Sequence, residues 1–171
     1  MQKIDRLTTL MERFTLSVAA APSGDAMLVV SAASDGRPAQ ACFAAKAVLG
    51  AIPAAPVLYA ANVDWGGPSN PLVAALPGVV VLDLADDPEG SALVSLMLAE
   101  ISAQRCGSGS VINRLAEVLI VRMLRAEIAR TRTRGHAVDD EEFIQGMVAV
   151  AMPIEDDQGR LVSTVSFHAP A

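Results

Sequence analysis

The last part of the chain carries the pattern that most restricts the fold. Two apolar runs, residues 147–154 and 161–167, are joined by a polar segment that contains Gly159. Two short apolar runs joined by such a turn predict a β-hairpin. Because side chains alternate along a strand, one face of the second strand should carry Leu161, Ser163, Val165 and Phe167, and the other Val162, Thr164, Ser166 and His168. The chain should therefore contain an antiparallel sheet with two chemically different faces.

A long amphipathic helix is predicted before this hairpin, over about residues 111–133. Ser110 is expected to cap its start, and Gly135 follows its basic last turn, as is typical of a helix C-terminus. Helix termination explains the arginines there better than nucleic-acid binding does. The apolar positions recur at helical spacing and form one stripe: Ile112, Leu115, Ala116, Leu119 and Met123.

The earlier chain alternates between strand and helix patterns. Residues 17–19 and 26–30 predict a hairpin around the turn at 22–25, and residues 57–63 and 78–84 predict buried strands. Asp87 before Pro88 predicts a helix start, with the helix continuing to about Gln104. Further helices are predicted at 4–14, 42–52 and 72–76. The whole pattern indicates a mixed α/β chain.

Composition excludes several classes of protein. A chain of 171 residues with 52% hydrophobic content suffices for about one domain, and its net charge of −6 disfavours binding to a phosphate backbone. The start has no signal-peptide pattern, and no run of about 18 apolar residues could span a membrane. Two cysteines, Cys42 and Cys106, make neither a disulfide framework nor a zinc site. A cytoplasmic protein without metal or cofactor is expected.

Candidate catalytic residues are sparse. The carboxylates at 139–142 are adjacent in sequence, which favours a solvated loop over an acid–base pair. The two histidines, His136 and His168, lack an evident orienting carboxylate, and Cys42 is interpreted as inert packing. Trp65 in a loop could be a ligand platform or a packing residue, and packing is favoured. No catalytic residue is therefore assigned.

The C-terminal third resembles the effector-binding domain of IclR-type transcription regulators. The resemblance rests on residues 132–154, which include the one-letter run RGHAVDDEEF, and on residues 157–170. It implies core strands of a GAF/PAS-like α/β domain with a ligand pocket against the sheet. Residues 16–54 are more loosely similar to an earlier part of that domain. There the family expects glycine where this chain has Ala45, which puts a close backbone approach to a ligand in doubt.

The middle of the chain resembles a different family. Residues 64–77, with the one-letter run DWGGPSNPLVAALP, are similar to the cupin-type ligand-binding domain of AraC-type regulators. The two predicted helices around Arg105-Cys106-Gly107 and the opening segment 4–7 fit the same family. Only about fifty residues precede this match, too few for a complete barrel. Both resemblances imply the sensing of a small molecule.

The resulting expectation is one effector-binding domain over residues 1–171 with no DNA-binding domain. The predicted fold is a GAF/PAS-like α/β (α+β) domain with an antiparallel sheet, flanking helices, the long helix and the C-terminal hairpin. A small organic effector, anionic if Lys46 pairs with it, is the expected partner. A homodimer is also expected, and a non-catalytic dimerisation module without ligand is the alternative; a hydrolase is the weakest reading. The resemblance and the side-chain alternation together suggest these ligand-binding residues: Ala44, Lys46, Glu142, Met147, Ala149, Thr164 and Ser166.

Overall fold

The computed structural model describes residues 7, 13–44, 55–66, 70, 73, 76–140, 144 and 146–171. The chain divides into two compact units, Met1–Leu124 and Arg125–Ala171. The helices expected at 4–14 and 72–76 fall almost entirely outside the described residues. None of the described helices has the length and apolarity needed to cross a membrane.

The first unit is built on an antiparallel sheet. Its described strands run in the order β1-β4-β2-β3-β5. Their bounds are β1 Ser17–Ala20, β2 Leu28–Ala32, β3 Pro38–Phe43, β4 Val57–Asp64 and β5 Val80–Asp83, with a short 3-10 helix at Ser23–Asp25 between β1 and β2. Strands β1 and β5 lie at opposite ends of this order. Within the described residues the sheet is therefore open and does not close into a barrel.

The predicted hairpin of β1 with β2 is wrong. β4 lies between them: Val18 of β1 pairs with Val63, and Val30 of β2 pairs with Tyr59. The reason is non-local. The alternate β4 residues Tyr59, Ala61 and Val63 are all buried, and β4 pairs on both sides with strands that are distant from it in sequence.

The helix predicted from Cys42 is also wrong at its start, because Cys42 and Phe43 end β3. Phe43 pairs with Leu28 on one side and with Val80 on the other. These two partners supply the backbone hydrogen bonds that a helix would otherwise provide, and tertiary pairing outweighs the helix propensity of the alanine-rich sequence. Residues 45–54 lie outside the described part of the chain.

The sheet of the first unit has a thoroughly buried face and a second face of smaller residues. Register places these buried side chains on the first face: Leu28, Val30, Ala41, Phe43, Tyr59, Ala61, Val80 and Leu82. On the other side, a small cluster of Ala26, Val29, Cys42 and Ala44 packs with Ala60 and Val81. Burial of apolar surface contributes roughly 25 cal/mol per Å². The core is thus made mainly of aliphatic residues, as the low aromatic content requires.

Two described helices follow the sheet, α1 at Pro88–Ala103 and α2 at Ser108–Arg134. The carboxylate of Asp87 accepts a hydrogen bond from the Gly90 amide at 3.1 Å, which confirms the predicted N-cap before Pro88. α2 begins at Ser108, two residues before the predicted cap at Ser110. The Gly135 amide donates to the Thr131 carbonyl at 3.0 Å with φ of 75°, so the glycine end of the helix is confirmed.

Arg122 on α2 ties the start of α1 to α2. Its guanidinium donates to the carboxylates of both Asp87 and Glu89, with Nε 3.2 Å from Asp87 Oδ2. Partial burial alone would raise the pKa of Asp87, but the hydrogen bonds from Arg122 and Gly90 outweigh it and hold that pKa below 3.8. The pair therefore stabilises the fold fully above the ordinary carboxyl pKa, and this contribution is lost as pH falls through the lowered value.

A glycine inside α1 tests this cap. A methyl group at Gly90 would lie 2.5 Å from Asp87 Oδ2 and 3.3 Å from Leu84 Cδ2. Alanine normally stabilises a helix interior by about 1 kcal/mol over glycine. We expect Gly90→Ala to lower the melting temperature instead, because the methyl displaces the capping carboxylate.

Gly109 in the first turn of α2 is the matched control, since nothing lies within 4 Å of its added Cβ. Gly109→Ala should raise stability by roughly 0.5–1 kcal/mol. Scanning calorimetry of both variants measures the difference. A melting temperature raised equally by both substitutions would contradict the described Asp87 cap.

The second unit ends in a three-stranded antiparallel sheet in the order β6-β7-β8. Its strands are β6 Ala137–Asp140, β7 Met147–Glu155 and β8 Leu161–Pro170. The predicted hairpin of β7 and β8 is confirmed. Its turn is fixed by Asp156, whose carboxylate accepts from the Arg160 amide at 2.9 Å, and by Gly159 at φ of 69°.

β6 corrects the loop predicted for the carboxylates. Asp139 and Asp140 belong to a strand, where they pair with Ala149 and Val148 of β7. Aspartate has low strand propensity, but backbone pairing along β7 overrides it. Residues 141–143 lie outside the described part of the chain.

Candidate binding face of the C-terminal sheet

The two faces of the C-terminal sheet differ in chemistry. Residues that pair directly across an antiparallel ladder point to the same side. Ser166 pairs with Ala151, and Phe167 pairs with Val150. We call one side the hydroxyl face, which consists of Met147, Ala149, Ala151, Pro153, Thr164, Ser166 and His168. The other is the apolar face, which consists of Val148, Val150, Met152, Ile154, Ser163, Val165, Phe167 and Ala169.

All the expected binding residues of the hairpin lie on the hydroxyl face. Met147, Ala149, Thr164 and Ser166 come from the two strands, as their alternation predicts. They do not meet at one point. Met147 is six positions along β7 from Pro153, the partner of Thr164, which is roughly 20 Å at the rise of a strand. One small molecule can therefore contact Ala149 and Ser166 together, with Met147 or Thr164 at one end.

Burial changes across the hydroxyl face. Ala149 is 9% exposed and Met147 is half-buried, whereas every residue of β8 is exposed. The hydroxyls of Thr164 and Ser166 thus lie at the surface, beside an apolar region that is partly covered. Hydroxyl groups can donate and accept hydrogen bonds, so this side of the sheet combines an apolar wall with polar anchors.

The remaining expected binding residues are not among the described residues of this sheet. Ala44 belongs to the first unit, where it is buried in the small cluster with Cys42 and its amide donates to the Met27 carbonyl at 2.8 Å. Its role as a ligand contact stays a prediction. Lys46 and Glu142 lie outside the described residues. The register also shows a position that sequence reasoning interpreted as loop: Asp139 is opposite Ala149.

Trp65 takes the packing role expected of it. It is 3% exposed, and its indole Nε1 donates to the Phe14 carbonyl at 2.9 Å. The Trp65 carbonyl accepts from the buried Asn70 side chain at 3.0 Å. Gly66 continues the turn at φ of 72°, and an added Cβ there would lie 2.8 Å from the Phe14 ring. The hydrogen bonds of Trp65 therefore connect the end of β4 to Phe14 and Asn70 of the first unit.

Tyr59 was not singled out by sequence reasoning. Its side chain is buried on the core face of the first sheet, and its hydroxyl has no hydrogen-bond partner among the described residues. Burial raises the pKa of this phenol, so it stays protonated. A buried hydroxyl without a partner costs about 1–3 kcal/mol. Tyrosine is common in buried strands, so the sequence gives little reason to single out Tyr59. Its polar hydroxyl is the one feature that distinguishes it from the apolar residues of β4.

The described part of the chain offers little for catalysis. Burial raises the pKa of the Cys42 thiol, which therefore stays protonated and is a poor nucleophile. His136 contacts the Arg134 carbonyl through Nδ1 at 3.0 Å, a local contact at the end of α2. No group of three or more His, Cys, Asp or Glu side chains that could hold a metal ion occurs among these residues.

A family model described as Cupin matches residues 11–129, more than half of the chain. The chain belongs to this cupin family. A second model, described as the C-terminal part of the bacterial transcriptional regulator IclR, matches residues 104–171.

The two family matches agree with both resemblances seen in the sequence. They overlap over residues 104–129, most of which belong to α2. The hydroxyl face lies wholly in the part that the IclR model matches. Both matches indicate a regulatory, effector-binding domain. Searches of curated proteins and of solved structures each found no match.

Proposed function

We propose that the chain is the sensing part of a bacterial transcription regulator and that it binds a small organic effector at the hydroxyl face. One observation carries this placement: Met147, Ala149, Thr164 and Ser166 share that face within the region matched by the IclR model. The proposal describes a cytoplasmic, non-enzymatic domain that does not contact DNA by itself. Residues 1–171 would act together in sensing.

Each group has a role in this proposal. Ser166 would donate or accept a hydrogen bond at the centre of the face, and Thr164 would do so for an effector bound towards its end of the face. Ala149 would provide apolar contact, and Met147 would add to it for an effector bound towards the opposite end. The pairing of Lys46 with an anionic group, and ligand contacts by Ala44 and Glu142, stay separate predictions that rest on the family resemblance. Few polar anchors beside an apolar wall are typical of small-molecule sites.

A thermal-shift screen against small carboxylic acids, aromatic acids and neutral polar compounds tests the proposal. A ligand that binds only the folded state stabilises it by about 2.7 kcal/mol at one hundred times its Kd. We expect one compound class to raise the melting temperature. That shift should shrink in Ser166→Ala and persist in Ser163→Ala, because Ser163 is an exposed serine on the same strand but on the apolar face.

The same screen also detects binding in the first unit, away from the hydroxyl face. Tyr59→Phe removes the buried hydroxyl that has no hydrogen-bond partner among the described residues of the first unit. A shift that survives Ser166→Ala and disappears in Tyr59→Phe would place the effector in the first unit and overturn the hydroxyl face. No shift with any compound class would count against sensing altogether.

A homodimer is the second proposal, and the apolar face favours it. Several of its large side chains are exposed, including Met152 at 51% and Phe167 at 67%. Contiguous exposed apolar surface of this kind marks interaction sites in many proteins. A dimer could accompany sensing or replace it. Sedimentation velocity over a range of protein concentrations distinguishes a monomer from a dimer.

A further inference from the structure

Strand β8 is an open edge of the C-terminal sheet. Among the described strands it is hydrogen-bonded only to β7, over residues 161–170. Its outer side therefore presents a row of backbone N–H and C=O groups to solvent. Such an edge readily pairs with another strand.

The usual protections of an edge strand are missing from β8. Natural sheets protect edges with charged side chains, prolines within the strand, bulges or a very short strand. β8 has ten residues, with no Asp, Glu, Lys or Arg among them. Its proline, Pro170, stands at the end, and the register shift of the hairpin falls at Ile154/Glu155 of β7 next to the turn. The eight residues from Val162 to Ala169 are therefore suited to pairing.

We propose that β8 pairs antiparallel with β8 of a second copy of the chain, around a twofold axis at Ser166. This rests on the homodimer proposed above and assigns it a surface and a register. The two three-stranded sheets would then form one continuous six-stranded sheet. Both the hydroxyl face and the apolar face would continue across the junction, because residues of like parity stand opposite each other.

The register follows from side-chain pairing. With Ser166 on the axis, Val165 stands opposite Phe167 of the second copy, and this pair occurs twice. Aromatic and β-branched residues on opposite strands are a favourable combination. Val165 is 39% exposed and Phe167 is 67% exposed, so both have surface to bury. A register centred on Val165 would instead place Phe167 opposite Ser163.

Charge favours a second copy over a charged peptide. The chain carries a net charge of −6, so most of its surface would repel a copy of itself. β8 contains no Asp, Glu, Lys or Arg, and the proposed register places its one histidine, His168, opposite Thr164 of the second copy, so two copies would meet without like-charge repulsion. A charged peptide would find no Asp, Glu, Lys or Arg on this strand to pair with.

Disulfide trapping tests both the pairing and the register. The exposed Cys106 is first replaced by serine, and the buried Cys42 is retained. Across the axis, the Cα atoms of the two copies of Ser166 would be about 4.5–5.5 Å apart, within the range of a disulfide. In the same background, the two copies of Ser163 would be roughly 20 Å apart. Ser166→Cys should cross-link under mild oxidation, and Ser163→Cys should not.

Sedimentation velocity of Val165→Lys is the second arm. Lysine at this edge position removes both Val165–Phe167 pairs and places charge beside the junction, so the dimer Kd should rise by about tenfold or more. A monomeric unsubstituted chain would overturn both the dimer and this pairing. A dimer that survives Val165→Lys, with equal cross-linking of Ser166→Cys and Ser163→Cys, would overturn the β8 junction and leave the dimer itself standing.

Discussion

Trp65→Ala should lower the free energy of unfolding by about 3–5 kcal/mol, the usual effect of truncating a large buried aromatic side chain. The indole is almost fully buried and donates to the Phe14 carbonyl across 51 positions of sequence. Its removal leaves a cavity and an unpartnered carbonyl. Since the native stability of a domain is about 5–15 kcal/mol, the loss would be a large part of the total.

Urea denaturation followed by circular dichroism measures this loss, because the variant has no tryptophan fluorescence. Trp65→Phe is the control. It keeps a ring in the core and loses the Nε1–H donor, so it should cost less than the alanine variant. If Trp65→Ala changed stability by less than about 1 kcal/mol, the tryptophan would not be the packing residue described, and a role as a ligand platform would have to be reconsidered.

Leu119→Ala should be the other strongly destabilising change, at about 2.7–5 kcal/mol. Leu119 is fully buried on α2, together with Ala116, Ile120 and Met123. Truncation removes apolar contact and leaves a cavity in a close-packed core. The fluorescence of Trp65, which lies in the same unit, reports this unfolding directly.

Val118→Ala is the matched control for Leu119. Val118 is the preceding residue of the same helix and is 50% exposed. Its truncation should change stability by no more than about 0.5 kcal/mol, because surface substitutions without special contacts are nearly neutral. Equal effects of the two substitutions would contradict the orientation of α2.

Local patterns allowed the best predictions of the fold. The α2 stripe depends on spacing within one helix, and Ala116, Leu119 and Met123 are indeed buried. The β7–β8 hairpin depends on alternation and a glycine turn, both of which are adjacent in sequence. Asp87 and Pro88 begin α1 as expected, because capping is a local interaction.

Predictions that depended on distant partners failed. The place of β4 between β1 and β2 is set by burial across the whole sheet, which no local pattern reveals. The alanines around Cys42 and Phe43 predict a helix, yet strands on both sides hold these residues in β3. The aspartates of β6 show the same effect, since pairing with β7 outweighs their local preference.

From the sequence, the side of the strand that carries the candidate binding residues could be predicted, but not a pocket formed by them. Alternation placed Thr164 and Ser166 on one side of β8, and the register then joined them to Met147 and Ala149. The distances between these residues along the sheet depend on the register of β7 with β8, which the sequence alone does not specify. The buried hydroxyl of Tyr59 cannot be predicted from the sequence, because its lack of a partner among the described residues depends on the folded core.

Isothermal titration calorimetry with the compound that gives the largest thermal shift tests the central proposal most directly. The effector-binding proposal predicts saturable binding to the unsubstituted chain and to Ser163→Ala, with affinity lowered about tenfold in Ser166→Ala. A lost hydrogen bond of about 1–1.5 kcal/mol corresponds to that change. Equal affinity for all three proteins, or no heat of binding at all, would contradict an effector site on the hydroxyl face.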